Sequence, residues 1–182
     1  MLSPNTSVFP IPMNDDLALL KELLYDQCDL EVSDFNLHKE STEYVASSFL
    51  LNGKFVQHRM AKITPKKTGQ FVTVWKRSNN GITEPFDVAD DLDFIFITAK
   101  SENHFGQFIF PKEILVEKGI ITKGNKEGKR GIRVYPPWDI PTNKQAIKTQ
   151  GWQLNYFFSV ERHSQTDIGL LSNMFSQIKE NE

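Results

Sequence analysis

Cysteine is almost missing from this chain. Cys28 stands alone, so no internal disulfide can form, and a reducing, cytoplasmic setting is the expectation. No apolar run approaches the roughly 18 residues that a spanning helix needs, which argues against a membrane protein. Residues 1–13 contain no Lys or Arg and hold Pro4, Pro10 and Pro12, a composition that fits neither a secretory nor a transit peptide and reads as an extended segment. Metal-ligand spacing is also lacking. His38, His58, His104 and His163 are scattered, one cysteine cannot build a zinc site, and Asp87, Asp90, Asp91 and Asp93 lack the glycine and closing Glu of a calcium loop. No Gly-x-Ser-x-Gly elbow occurs. The loop from Gly124 to Arg130 fails as a P-loop, since Lys123 stands where the first Gly belongs and Arg130 where Ser or Thr belongs. Nothing in the residues calls for a metal, a cofactor or a catalytic residue.

What remains is a chain of 182 residues, 39% hydrophobic, with fourteen Phe, three Trp and four Tyr, enough to bury a core in one domain over residues 14–182. Its formal charge of −2 conceals a segregation. Residues 1–53 sum to −7, 54–81 to +7, 82–98 to −5, 99–151 to +5 and 152–182 to −2. Charge blocks of this kind point to a surface that faces a polyanion, although any one block is also what an ordinary solvated face looks like.

The hydrophobic pattern predicts a mixed α+β fold. Asn14 caps a helix over residues 14–29, with Asp15 and Asp16 in its first turn and Met13, Leu17, Leu20, Leu24 and Cys28 as the buried stripe. Residues 44–51 and 54–63 flank Asn52-Gly53, a strong hairpin signal, and residues 70–77 read as a third antiparallel strand. Trp75 alternates within that strand and is assigned to the core. Residues 93–99 form a strand covered on both faces, paired with 105–110, and Pro111 opens a short helix that Gly119 closes. Residues 123–131 make a cationic glycine loop before a brief strand at 132–135. Thr142 and Gln145 suggest a capping box, residues 152–160 fit either strand or helix, and a last helix begins near Ser164 with Ile168, Leu171, Phe175 and Ile178 as its stripe.

The cations fall into two sets. Lys54, Arg59, Lys62, Lys66, Lys67, Lys76 and Arg77 sit on the expected three-stranded unit, and Lys123, Lys126, Lys129, Arg130 and Arg133 around one loop and strand, with Trp75, Tyr135 and Trp138 among them. Cations for phosphates and aromatic faces for bases are the ingredients of single-strand or RNA binding.

Residues 42 to about 160 resemble the MepB-like family. The resemblance rests on Ala61-Lys62-Ile63-Thr64-Pro65, Gly69-Gln70-Phe71-Val72-Thr73-Val74-Trp75-Lys76-Arg77, Phe105-Gly106-Gln107-Phe108 and Glu127-Gly128-Lys129-Arg130-Gly131-Ile132-Arg133-Val134-Tyr135-Pro136-Pro137-Trp138. It implies a core like that of PD-(D/E)XK endonucleases, a central mixed sheet flanked by helices, and nucleic-acid binding. In such enzymes one strand supplies an Asp and the next an acidic residue or Gln, a spacer and a Lys, which together hold Mg²⁺ and activate water. Lys62 falls on the motif Lys. Met60, however, occupies the acidic position, and residues 44–51 contain no Asp or Glu.

The expectation is therefore a non-catalytic binder of single-stranded DNA or RNA. Lys62, Lys66, Lys67, Lys76, Arg77, Lys129, Arg130 and Arg133 would contact phosphates, and Tyr135 or Trp138 would stack on bases. One rival is a metal-dependent nuclease with a migrated site at Asp91, Asp93 and Glu127. Another is a protein-interaction module that uses the acidic residues between 15 and 43.

Overall fold

A computed structural model describes residues 13–161 and 165–176. The N-terminal segment up to residue 12, His163, Ser164 and Ile178 lie outside the described residues.

The first helix starts where Asn14 Oδ1 accepts from the Leu17 amide at 3.2 Å. It runs as α1 (Asp15–Leu20), widens into a π-turn (Lys21–Tyr25) and tightens into a 3₁₀ turn (Asp26–Cys28) before Asp29 ends it at φ 53°. A π-turn adds a residue to the repeat, so Leu24 and Tyr25 both face inward beside Leu17, Leu20 and Cys28.

Eleven strands follow among the described residues: β1 (Val32–Leu37), β2 (Ser47–Leu51), β3 (Lys54–Met60), β4 (Lys62–Thr64), β5 (Lys67–Thr73), β6 (Trp75–Arg77), β7 (Thr83–Pro85), β8 (Phe94–Lys100), β9 (Phe105–Pro111), β10 (Gly131–Val134) and β11 (Phe157–Ser159). The helices α2 (Lys112–Glu117), α3 (Lys144–Gln153) and α4 (Gln165–Ser176) complete a mixed α+β fold. Its central sheet has six strands in the order β1-β2-β3-β8-β9-β11. The β2–β3 hairpin turns at Asn52 (φ 48°) and Gly53 (φ 79°), the two positive φ values that a type I′ turn requires. Among the strands of the described residues, only β3 and β8 pair in parallel.

Strand β8 is covered on both faces, as its unbroken apolar run implies. Phe94 and Phe96 pack with Leu20, Tyr25, Leu171 and Phe175 on the side of α1 and α4, while Ile95, Ile97 and Ala99 pack with Val72, Leu115, Ile132 and Val134 on the other. A small sheet, β10-β5-β4, supplies much of that second layer. None of the described helices is long and apolar enough to cross a membrane.

A buried polar row crosses the central sheet. Tyr25 Oη donates to Gln107 Oε1, Gln107 Nε2 donates to Thr98 Oγ1 at 3.1 Å, and His58 bridges Thr98 Oγ1 (2.8 Å) and Ser47 Oγ (3.2 Å). Because Thr98 already accepts from Gln107, its own O–H is available to donate to His58 Nε2, which suits a neutral ring. Burial, then the nearby Arg59 guanidinium, push the His58 pKa down to about 3.

Several expected elements differ. The strand expected over 54–63 breaks at Ala61, so β3 joins the central sheet while β4 turns away to pair with β5. Residues 54–77 are thus divided among three sheets instead of forming one three-stranded unit. Trp75 is half-buried at a cleft wall and is no core residue. The α3 cap is Asn143, whose Oδ1 accepts from the Ala146 amide at 2.8 Å, one residue past the Thr142 expected for it. Residues 152–160 are helix, 3₁₀ turn and strand in succession. Strands β1 and β7 carry little periodicity. The first is polar and bulged around Asp34 (φ 51°), and the second holds Pro85 in a two-stranded ribbon.

Candidate functional site

The small sheet owes its position to alternation. Ile132 and Val134 of β10 and Val72 of β5 point into the core, so Gly131, Arg133 and Phe71 take the opposite face. The register sets Arg133 beside Phe71 and Phe71 beside Lys62. Tyr135 follows Arg133 on the same side by two residues, and its ring lies against Gly69, where a Cβ would meet Tyr135 Cε1 at 2.6 Å. The Phe71 ring covers Gly131 in the same way. Gly69 (φ 82°) therefore serves both the irregularity in β5 opposite Ile63 and Thr64 and the seat of Tyr135.

Helix α3 forms the opposite wall. Gln153, 1% exposed, takes the place of a neighbouring strand: its Oε1 accepts from the Tyr135 amide at 2.8 Å and its Nε2 donates to Arg133 O at 2.9 Å. Gln150 Nε2 donates to the carbonyls of Pro136 and Asp139. Gln153→Leu should cost about 2 kcal/mol in urea unfolding, because it strands a buried backbone donor and acceptor. A loss indistinguishable from zero would show that α3 docks by apolar contact alone.

Between the small sheet and α3 runs a groove of about 800 Å³, continued past Tyr135 by a second recess of about 490 Å³. Lys66, Lys67, Lys118, Lys129, Arg133 and Lys148 line the two, against one acid, Glu117. Glu117 pairs with Lys118 at 2.9 Å, and Lys118 Nζ lies 5.7 Å from the Trp152 ring centre. Arg133 is anchored to Thr64 Oγ1 (2.8 Å) and Gly69 O (3.1 Å). Lys66, Lys67, Lys129 and Lys148 have no ion pair among the described residues. The half-buried rings of Phe71, Tyr135 and Trp152 lie in the same walls.

Of the residues singled out from sequence, the groove gathers Lys66, Lys67, Lys129, Arg133 and Tyr135. The others lie elsewhere. Lys62 pairs with Glu43 at 2.7 Å over the Tyr44 ring. Lys76 is held by Asp90 and Glu84, which raise its pKa against the opposing effect of burial. Arg77 pairs with Glu40, and Arg130 with Glu127 at 2.9 Å. Trp138 stacks on His104 at 5.1 Å and meets Phe157 edge-on. Sequence reasoning missed Lys118, Lys148, Phe71 and Trp152. Only packing brings those four to the groove.

Two of the three carboxylates of the migrated nuclease site have other partners. Asp93 Oδ2 accepts from the Phe55 amide at 2.8 Å, and Glu127 holds Arg130. Among the described residues no group of three or more His, Cys, Asp or Glu side chains is placed to hold a metal ion. Glu43 is the carboxylate against Lys62, and Met60 Sδ accepts from Asn14 Nδ2. Four of the nine acids of the N-terminal block, Asp16, Asp26, Glu40 and Glu43, pair with Lys100, Lys21, Arg77 and Lys62.

The sequence pattern of the MepB-like family matches residues 38–159, which contain both walls of the groove. The chain belongs to the MepB-like family. Among solved structures it is similar to one described as the crystal structure of MepB, with 37% identity and a TM-score of 0.71 over 83% of this chain and 100% of that one. No curated protein matches it. In this MepB-like protein the family region thus carries the unpaired cations, the three rings and the Gln153 clamp that sets their spacing.

Proposed function

We propose that this MepB-like protein binds nucleic acid, single-stranded DNA or RNA in preference to duplex, along the groove between β10 and α3. The observation that carries this reading is the sorting of cations. Four of the residues expected to contact phosphates, Lys62, Lys76, Arg77 and Arg130, lie outside the groove and are held by carboxylates, whereas Lys66, Lys67, Lys129 and Lys148 keep their charge for a ligand beside Phe71, Tyr135 and Trp152. Unpaired cations gain from displacing counterions on a phosphate backbone, and rings in the same wall stack on unpaired bases of any sequence.

The scaffold is read as a PD-(D/E)XK-like core without the metal-binding carboxylates. The mixed sheet with the β2–β3 hairpin near its centre supports this, as do Met60 and the acid-free strand β2 in the two acidic positions. A cytoplasmic setting belongs to the same reading, on the strength of the lone Cys28.

Anisotropy titration of a labelled single-stranded oligonucleotide over a range of salt concentrations tests the proposal. For about five phosphate contacts, log K should fall with log salt at a slope of roughly −3.5. Binding that ignores salt, or that prefers duplex, overturns it. Oligonucleotide cleavage with Mg²⁺ or Mn²⁺ would overturn the non-catalytic part alone.

A further inference from the structure

Arg59 is 5% exposed and has no carboxylate partner among the described residues. Its Nη1 donates to His58 O at 2.8 Å and Gln57 Oε1 at 3.4 Å, and its Nη2 approaches Trp75 O at 3.5 Å, all neutral acceptors. A buried cation without a counter-ion is costly, since neutral dipoles replace only part of its hydration. Burial lowers the Arg59 pKa to about 10, so the group stays charged at neutral pH. Its field also helps to hold down the pKa values of His38 and His58.

The guanidinium lines a cleft of about 270 Å³ that shares no residue with the groove. Lys39, Lys76 and Arg77 line it with Arg59, against a single acid, Glu40, which is engaged by Arg77. Lys39 is exposed and has no ion pair among the described residues, and the half-buried Trp75 forms part of the wall. Arg59 Nε–H has no acceptor among the described residues, Nη2 has only the long approach to Trp75 O, and Nε and Nη2 share one edge of the guanidinium. That edge matches two oxygens of an oxyanion.

We propose that the Arg59 cleft is a binding site for a phosphate group, either inorganic phosphate or a phosphate monoester, gripped by the free edge of Arg59 with Lys39 at its mouth. Phosphate suits the cleft better than a carboxylate. It carries about 1.5 to 2 negative charges near pH 7 and has three strong acceptor oxygens, so it can engage Lys39 as well as the Arg59 edge.

Calorimetric titration at constant ionic strength tests this with inorganic phosphate, AMP and acetate as probes. Phosphate should bind saturably at one site, at least about tenfold more tightly than acetate. AMP binding as tightly as phosphate identifies a monoester site, and exclusion of AMP identifies a site for free phosphate. Arg59→Lys keeps the charge but loses the fork and should weaken phosphate at least about tenfold. Lys39→Glu changes an exposed side chain and should weaken it similarly, which settles the matter even where an Arg59 variant does not fold. Lys67→Ala with Lys129→Ala should leave phosphate affinity within about twofold, separating this site from the groove. Absence of saturable phosphate binding, equal affinity for acetate, or unchanged affinity in Lys39→Glu would overturn the proposal.

Discussion

Replacing Lys67, Lys129 and Lys148 together by Ala should weaken single-strand binding about 100-fold at 0.1 M salt and reduce the magnitude of the salt slope by roughly 2. Each cation that neutralises a phosphate adds about 0.7 to the single-strand slope, so three contribute about 2.1, a factor of about 100 at that concentration. All three side chains are exposed and none has an ion pair among the described residues, so folding stability should scarcely change. Lys62→Ala is the matched control. Its ammonium is already held by Glu43 at 2.7 Å, and affinity should stay within about twofold of the unaltered protein. If Lys62→Ala weakens binding as much as the triple change does, the polyanion lies along the β4 edge of the small sheet and the groove assignment is wrong.

Acidification should destabilise this protein more steeply than its surface carboxylates account for, and His58 is the reason. In the unfolded chain this ring takes up a proton as pH falls through about 6.5, whereas in the fold it remains neutral until about pH 3. Between those values the unfolded state binds the extra proton, so the contribution of His58 is complete above pH 6.5 and is lost progressively as pH falls. The shift corresponds to a loss on the order of 4–5 kcal/mol between pH 7 and pH 3, a large part of the stability of an ordinary domain. His38, held below its ordinary value by burial and then by Arg59, acts with the same sign. Urea midpoints measured from pH 7 to pH 4 check this. In His58→Asn the slope of stability against pH should shrink by about one proton, and equal slopes in the two proteins would show that the buried row does not control acid unfolding.

The buried row also shows where legibility in the sequence ends. Ser47, His58, Thr98 and Gln107 come from four strands, and nothing in their spacing announces that β3 and β8 run side by side in parallel. The hairpin at Asn52-Gly53, the doubly covered β8 and the helix beginning at Asn14 were legible because each depends on local chemistry: a left-handed turn, an unbroken apolar run, a side-chain cap. The break at Ala61 was not. Both halves of residues 54–63 satisfy strand chemistry, and the choice of partner for β4 is a long-range one.

The same division holds for the candidate site. Charge arithmetic located the two basic blocks, and the motifs around Gly69 and Arg133 located the surface within the family region. Sequence alone could not sort one lysine from another. Lys62 and Lys67 lie five residues apart on the same hairpin, yet Glu43 takes the first and α3 leaves the second open to the groove. An ion pair depends on distances of a few ångströms between residues remote in the chain, and only the folded packing of β4, β5, β10 and α3 determines them. The scarcity of cysteine, the missing metal-ligand spacing and the alternating charge blocks belong to the sequence. Which charges meet a partner inside the fold, and which are left open on its surface, was decided by the tertiary structure.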